Sequence, residues 1–353
     1  MTLTQLRYII AVDRHGGFAP AARHCLVTPP TLSLQIQKLE QEIGAEIFDR
    51  RKTPVVATHY GRRVIDQAQR VMREAEKIDE LFRDDEEPSG EITLGMIPTV
   101  APILMPALFR TLGERYGRLQ FRIFELPTTQ IVEKMRAGEI ELGILATPLG
   151  YKDLGETPLY YENFVAYFPQ DYTGPYSDLD PGEERPGGYD MILLGEDHCF
   201  RSQSLRVCGN RNESRIECGS LETLMQMVDR GAGMTLLPEM AARTPATGDA
   251  GLAAESAGKS AAKTGPKGKA KAASKKKKKA AGSAISATAS IAPHLRGHIA
   301  SFRAPQPVRE ISLVHPRDFY KKKIFDAIKE IVIAQIPEEL RERGGRQLID
   351  VEV

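Results

Sequence analysis

No stretch of the 353-residue chain approaches the roughly 20 consecutive apolar residues that a membrane-spanning helix needs. The first residues, MTLTQLRYIIAV, also lack a basic segment followed by a long apolar one, so no secretory leader is expected. Both absences point to a cytoplasmic protein with no membrane partner. Cysteine is scarce, and the four present, Cys25, Cys199, Cys208 and Cys218, are too few to staple a secreted scaffold. In a reducing compartment such thiols are redox-active, metal-binding, catalytic or simply core. Net charge is nearly absent as well, at +1, but the balance is uneven. Between Thr244 and Pro293 ten lysines stand against Asp249 and Glu255, an excess of eight positive charges that leaves the rest of the chain at about −7.

The length exceeds the roughly 250 to 300 residues at which single cores stop growing, so more than one domain is expected. Over the first sixty residues apolar positions recur at helical spacing: Leu6 and Ile10, then Phe18, Ala21, Ala22, Cys25 and Leu26, then Leu32, Ile36, Leu39 and Ile43. Gly16 and Gly17 divide the first helix from the second. Thr28 is the expected N-cap of the third, with Pro29 and Pro30 in its first turn and Gly44 at its end. The basic segment 50–56 reads as a hairpin. From His59 to about Asp84, Val64, Ala68, Val71, Ala75, Ile78 and Phe82 alternate steps of four and three, the rhythm of a helix that packs along a partner helix, so a dimer is expected.

Pro88-Ser89-Gly90 marks a hinge, beyond which short apolar strands alternate with helices. Strands are expected at Ile92 to Ile97, Leu119 to Glu125, Ile140 to Leu145, Phe164 to Tyr167 and Met191 to Leu194, with helices after Thr99, Thr128 and Ser220. This predicts open α/β units with parallel sheets. A crossing near Tyr161 to Pro169 and a late strand at Ile311 to His315 predict two lobes. The segment 244–292, built of Ala, Gly, Ser, Thr and Lys, cannot bury a core and reads as a disordered insert. The expected organisation is therefore a small three-helix unit with a basic hairpin over 1–58, a dimerisation helix over 59–87 and a larger domain over 91–335.

The run Phe18-Ala19-Pro20-Ala21-Ala22, followed by Val27 to Glu40 and Gly44, resembles the winged helix-turn-helix signature of LysR-type transcription regulators. The resemblance implies an N-terminal winged helix-turn-helix, a long linker helix and a two-lobed, periplasmic-binding-protein-like effector domain. It makes double-stranded DNA, a homodimer or homotetramer and RNA polymerase the partners. On the third helix and the wing it offers Pro30, Thr31, Ser33, Gln35, Lys38, Arg50 and Arg51 as DNA contacts. Leu34 stands where a more polar residue is usual.

A second match, Gly195-Glu196-Asp197-His198-Cys199-Phe200-Arg201 followed by Cys208 and by Gly219 to Leu224, is similar to the hydrogen-peroxide-sensing members of that family. It implies that Cys199 meets peroxide, that Cys208 closes a disulfide with it, and that Thr99, Thr128, His198 and Arg309 surround the reactive sulfur. It implies neither an enzyme nor a cofactor. The chemistry is coherent: only the thiolate attacks an O–O bond, and His198 and Arg309 are expected to favour that charged form. Ser202 replaces an acidic residue of some relatives. Other readings stay open: a chance His-Cys pair, a thiol peroxidase, or a regulator answering a small anionic metabolite. No second Cys or His completes a zinc site. Cys25 reads as core, and Cys218 as a buried strand end that could compete with Cys208.

Overall fold

Thr2 begins the first helix, α1 (Leu3–His15): its hydroxyl accepts from the Gln5 amide while the Gln5 side chain accepts from the Thr2 amide, a closed capping box. The computed structural model describes residues 1–81, 88–209, 216–243 and 295–351. α2 (Phe18–His24) leads to α3 (Pro29–Ile43), where Thr28 accepts from the Thr31 amide and Gly44, at φ 75°, ends the helix in the left-handed conformation. Leu6, Ile9, Val12, Ala21, Leu32, Ile36 and Leu39 bury one shared core, with Cys25 packed at its margin as expected. A short hairpin, β1 (Phe48–Asp49) with β2 (Val56–Ala57), forms the wing.

α4 (His59–Leu81) starts against that core, and a Cβ at Gly61 would fall 1.9 Å from the Ile47 carbonyl oxygen, so only glycine allows the approach. The heptad reading needs a correction here. Ile65 and Ala68 are buried in the winged domain's own core, and Val64, Val71 and Met72 pack against it. Of the heptad positions whose side chains are described, Ile78, in the distal half, is the one left exposed, at 57%. Phe82 and the expected linker end at 87 lie outside the described residues, as does the insert at 244–292.

The effector domain opens with β3 (Gly90–Met96), α5 (Ala101–Arg115), β4 (Leu119–Glu125), α6 (Thr128–Arg136) and β5 (Leu142–Thr147), in which β3 pairs in parallel with β4 and β5. β6 (Leu154–Phe168) crosses to the second lobe. There follow β7 (Leu193–Leu194), α7 (Cys199–Cys208), β8 (Glu217–Cys218), α8 (Leu221–Asp229), β9 (Thr235–Pro238), α9 (Glu239–Ala242) and β10 (His298–Ser301). β11 (Pro307–Pro316) returns to the first lobe, α10 (Lys322–Gln335) covers it, and β12 (Gln347–Leu348) lies along β11.

The expectation of wholly parallel sheets fails at the crossings. β11 runs antiparallel to both β5 and β6, and β6 runs antiparallel to β9 and β10, because two strands passing between the lobes in opposite directions must meet head to tail. Each lobe has its own core, one around Leu104, Ile131, Ile144 and Ile328 and the other around Phe164, Leu193, Val228 and Leu236. Packing also continues past the expected end at 335, since Ile336, Leu340 and Ile349 are buried. The architecture is a winged helix-turn-helix, a long linker helix and a two-lobed, periplasmic-binding-protein-like effector domain.

Candidate functional site: a cysteine between two lobes

α7 is the element that the periodicity did not announce. Its buried stripe is Phe200, Gln203, Ser204, Val207 and Cys208, at helical spacing but with two polar residues in the middle. Ser204 is accommodated by donating to the Phe200 carbonyl at 2.7 Å. His198 is the N-cap residue, with extended backbone, and its ring caps no amide; Gly209 closes the helix at φ 61°.

Cys199 is the first residue of α7, half-buried, and it packs against the core of the opposite lobe. Thr99, in the turn after β3, and Thr128, the first residue of α6, are each 3% exposed. Arg309 enters from β11 and is fully buried. Its Nη1 donates to Thr99 Oγ1 at 2.8 Å and its Nε to Glu162 Oε1 at 2.8 Å. Its Nη2 lies 2.6 Å from the same Glu162 oxygen, close enough for an ion pair though not aligned as a hydrogen bond. The guanidinium also stacks over the Phe200 ring, 4.9 Å from its centroid. Glu162 stands opposite Arg309 in the β6–β11 register, so one buried ion pair ties the two crossing strands together beneath Cys199.

Thr99, Thr128, His198 and Cys199, with Ile97, Pro98, Pro127, Asp197 and Phe200, line a cavity of about 10 Å³. That is room for one molecule near the size of water. Two larger cavities, of about 610 and 650 Å³, lie elsewhere: one faces α1 and the first lobe, the other residues 338–346. Neither is lined by Cys199. Thr128 Oγ1 is buried, and the group it faces is the Cys199 sulfur.

The electrostatics differ from expectation. Burial pushes the Cys199 thiol above its ordinary value, and the Arg309 charge, then the Thr128 hydroxyl, oppose that rise without cancelling it. His198, next in sequence, is not among the groups that shift the Cys199 thiol. Burial also raises Glu162, against the pull of Arg309. Cys208 is pushed up to about 12, by burial first and Glu183 second.

The structure brings Cys199, Thr99, Thr128, His198 and Arg309 together and leaves Cys208 apart. Cys208 sits at the far end of α7 with no exposure, in the core of the second lobe. Nine helical steps at about 1.5 Å each separate the two cysteines by about 13 Å, whereas a disulfide needs Cα atoms within about 7 Å. All four cysteines are free thiols. Cys218 is buried in β8, and Ser202 donates to the Cys199 carbonyl. Among the described residues no group of three or more His, Cys, Asp or Glu is placed to hold a metal ion. Glu162 and Phe200 were missed. Glu162, an acidic residue set between Tyr160 and Phe164 in β6, matched by a single arginine in β11, was the available signal.

At the other end of the molecule, Pro30, Thr31, Leu34 and Lys38 form an exposed stripe on α3, with Leu34 51% exposed. Ser33 and Gln35 are half-buried: Ser33 accepts from Arg50 at 3.2 Å and Gln35 from Gln5 at 3.4 Å. Arg50 also pairs with Glu40 at 2.8 Å and lies over the Phe18 ring, so it fastens the wing to α3. Arg51, its side chain 92% exposed, is held only by Asp49.

Known proteins match both parts of the chain. Residues 3–62 match the bacterial regulatory helix-turn-helix protein, lysR family, and residues 85–254 match the LysR substrate binding domain. With the fold described above, these matches define a class: the chain belongs to the LysR family of DNA-binding transcription regulators. Within the family the relatives are more particular. OxyR of Escherichia coli K12, a DNA-binding transcriptional dual regulator, is 33% identical over 245 residues, covering 68% of this chain and 80% of its own. The hydrogen peroxide-inducible genes activator of Haemophilus influenzae is 32% identical over 245 residues, covering 68% of this chain and 81% of its own. A full-length OxyR variant from Pseudomonas aeruginosa superposes with a TM-score of 0.72 at 27% identity, over 98% of this chain and 99% of that one. No helix among the described residues is long and apolar enough to cross a membrane.

Proposed function

We propose that this chain is a hydrogen-peroxide-responsive DNA-binding transcription regulator, switched by a disulfide between Cys199 and Cys208. The observation that supports this most directly is Cys199 in a cavity fit for a molecule near the size of water, with the Thr128 hydroxyl facing its sulfur and the Arg309–Thr99 pair beside it. A metabolite of ordinary size does not fit that space. In the first step the Cys199 thiolate attacks one peroxide oxygen, the O–O bond breaks, the released hydroxide takes a proton to become water, and Cys199 is left as sulfenic acid. In the second, the Cys208 sulfur attacks Cys199, the S–O bond breaks and a second water leaves. Peroxide is reduced and two thiols are oxidised. Cys208 becomes nucleophilic once it leaves the core that holds its thiol near 12.

In this reading α3 enters the major groove through Thr31, Leu34 and Lys38, and the wing adds Arg51. Pro30, Ser33, Gln35 and Arg50 shape or extend that surface. The distal half of α4 joins two subunits, and effector domains pair further into a tetramer that presents DNA to RNA polymerase. The test is DNA binding by full-length protein with and without one equivalent of peroxide. The footprint or affinity should change for the parent chain and not for Cys199→Ser; the same change in both would end the proposal.

A further inference from the structure

The segment after α10 does more than close the domain. β12 pairs in parallel with β11 at Pro307 and Val308, and the Ile349 amide donates to the Val308 carbonyl at 2.8 Å, one residue from Arg309. From the other side the same segment receives α7. Gln203, fully buried, donates to the Ile349 carbonyl at 2.9 Å, and Arg206 donates to the Asp350 carbonyl at 3.2 Å. Ile349 itself is buried in the second-lobe core that holds Cys208. Gln203 and Arg206 both lie between Cys199 and Cys208, and the carbonyl oxygen of the Gln203 amide has no partner among the described residues. The buried amide is therefore engaged only through its contact with the strap.

We infer that residues 347–350 are a latch on α7, with Gln203 as its buried positioning residue, and that the latch sets how readily the helix opens. The inference rests on the proposed disulfide for its consequence but not for its geometry. Closing a bond between Cys199 and Cys208 requires the helix between them to unwind, because about 13 Å must become less than about 7 Å. Unwinding withdraws Gln203 and Arg206 from the strap and leaves two carbonyl oxygens without their donors. The latch thus holds the reduced conformation without touching Cys199.

Two variants of the full chain test this. One stops after Leu348, and the other is Gln203→Met, which keeps the side-chain length and helix propensity and removes the donor. In the reduced protein, amide hydrogen exchange across α7 should quicken about fivefold in Gln203→Met and more in the shortened chain, with α5 and α8 unchanged. After peroxide, the appearance of sulfenic acid at Cys199 should keep its parental rate, and disulfide closure should accelerate by the same factor as exchange. Unchanged α7 exchange in both variants overturns the latch, as does acceleration spread equally over α5 and α8. A parent protein that forms no Cys199–Cys208 disulfide refutes the proposed switch, while the exchange result still decides the latch.

Discussion

At the scale of single residues, the chemistry at Cys199 is a contest between burial and charge. Burial raises the thiol and Arg309 lowers it, and burial wins in the resting site. The thiolate is then a minor species at neutral pH, and each pH unit below its pKa changes its population about tenfold. The rate of reaction with peroxide should accordingly climb with a slope near one between pH 7 and 9, read by trapping the sulfenic acid; a flat profile would show a thiolate already formed. Removing Arg309 alone would strand Glu162 in the core, which costs about 3 to 5 kcal/mol for a buried pair. The neutral double variant Arg309→Gln with Glu162→Gln avoids this. It should fold and react more slowly at pH 7, because the Arg309 charge that opposes the rise of the Cys199 thiol is gone. An undiminished rate would remove Arg309 from the site's chemistry.

At the scale of elements, α7 holds both cysteines of the proposed switch, and its helical character is concealed in the sequence. Periodicity works where the buried stripe is apolar, as in α1 and α3, and where Thr28 and Gly44 punctuate the ends. It fails across Cys199 to Cys208 because Gln203 and Ser204 occupy the stripe's centre, and their burial is explained only by a strap about 146 residues away and a local bond to Phe200. Cys199, Cys208 and Arg309 were offered by the resemblance, whereas Glu162 was not, because its partner is 147 residues distant. The same element yields a prediction. Oxidation should remove helical signal worth about the ten residues of α7, measured by far-ultraviolet circular dichroism on the parent chain and absent in Cys208→Ser. A disulfide formed with no loss of helix would contradict the need for unwinding.

At the scale of the whole molecule, the response has to travel from a lobe junction to α3. Within the effector domain the sheet is continuous, since β6 and β11 belong to both lobes and β11 carries Arg309 at the crossing. In the proposed dimer, two-fold geometry would match DNA half-sites. Because Ile65 and Ala68 of α4 are buried in its own domain, the proposed partner contact is placed at Ile78 in the distal half. Ile78→Glu should therefore weaken the dimer by about tenfold in sedimentation without unfolding the winged domain, and an unaltered association constant would move the interface elsewhere. The most direct measurement is disulfide mapping by mass spectrometry after one equivalent of peroxide and rapid alkylation. The account predicts one new bond, between Cys199 and Cys208, with Cys25 and Cys218 still alkylated; in Cys208→Ser it predicts a sulfenic acid on Cys199. A Cys199 thiol left free, or a bond from Cys199 to Cys218, would contradict it.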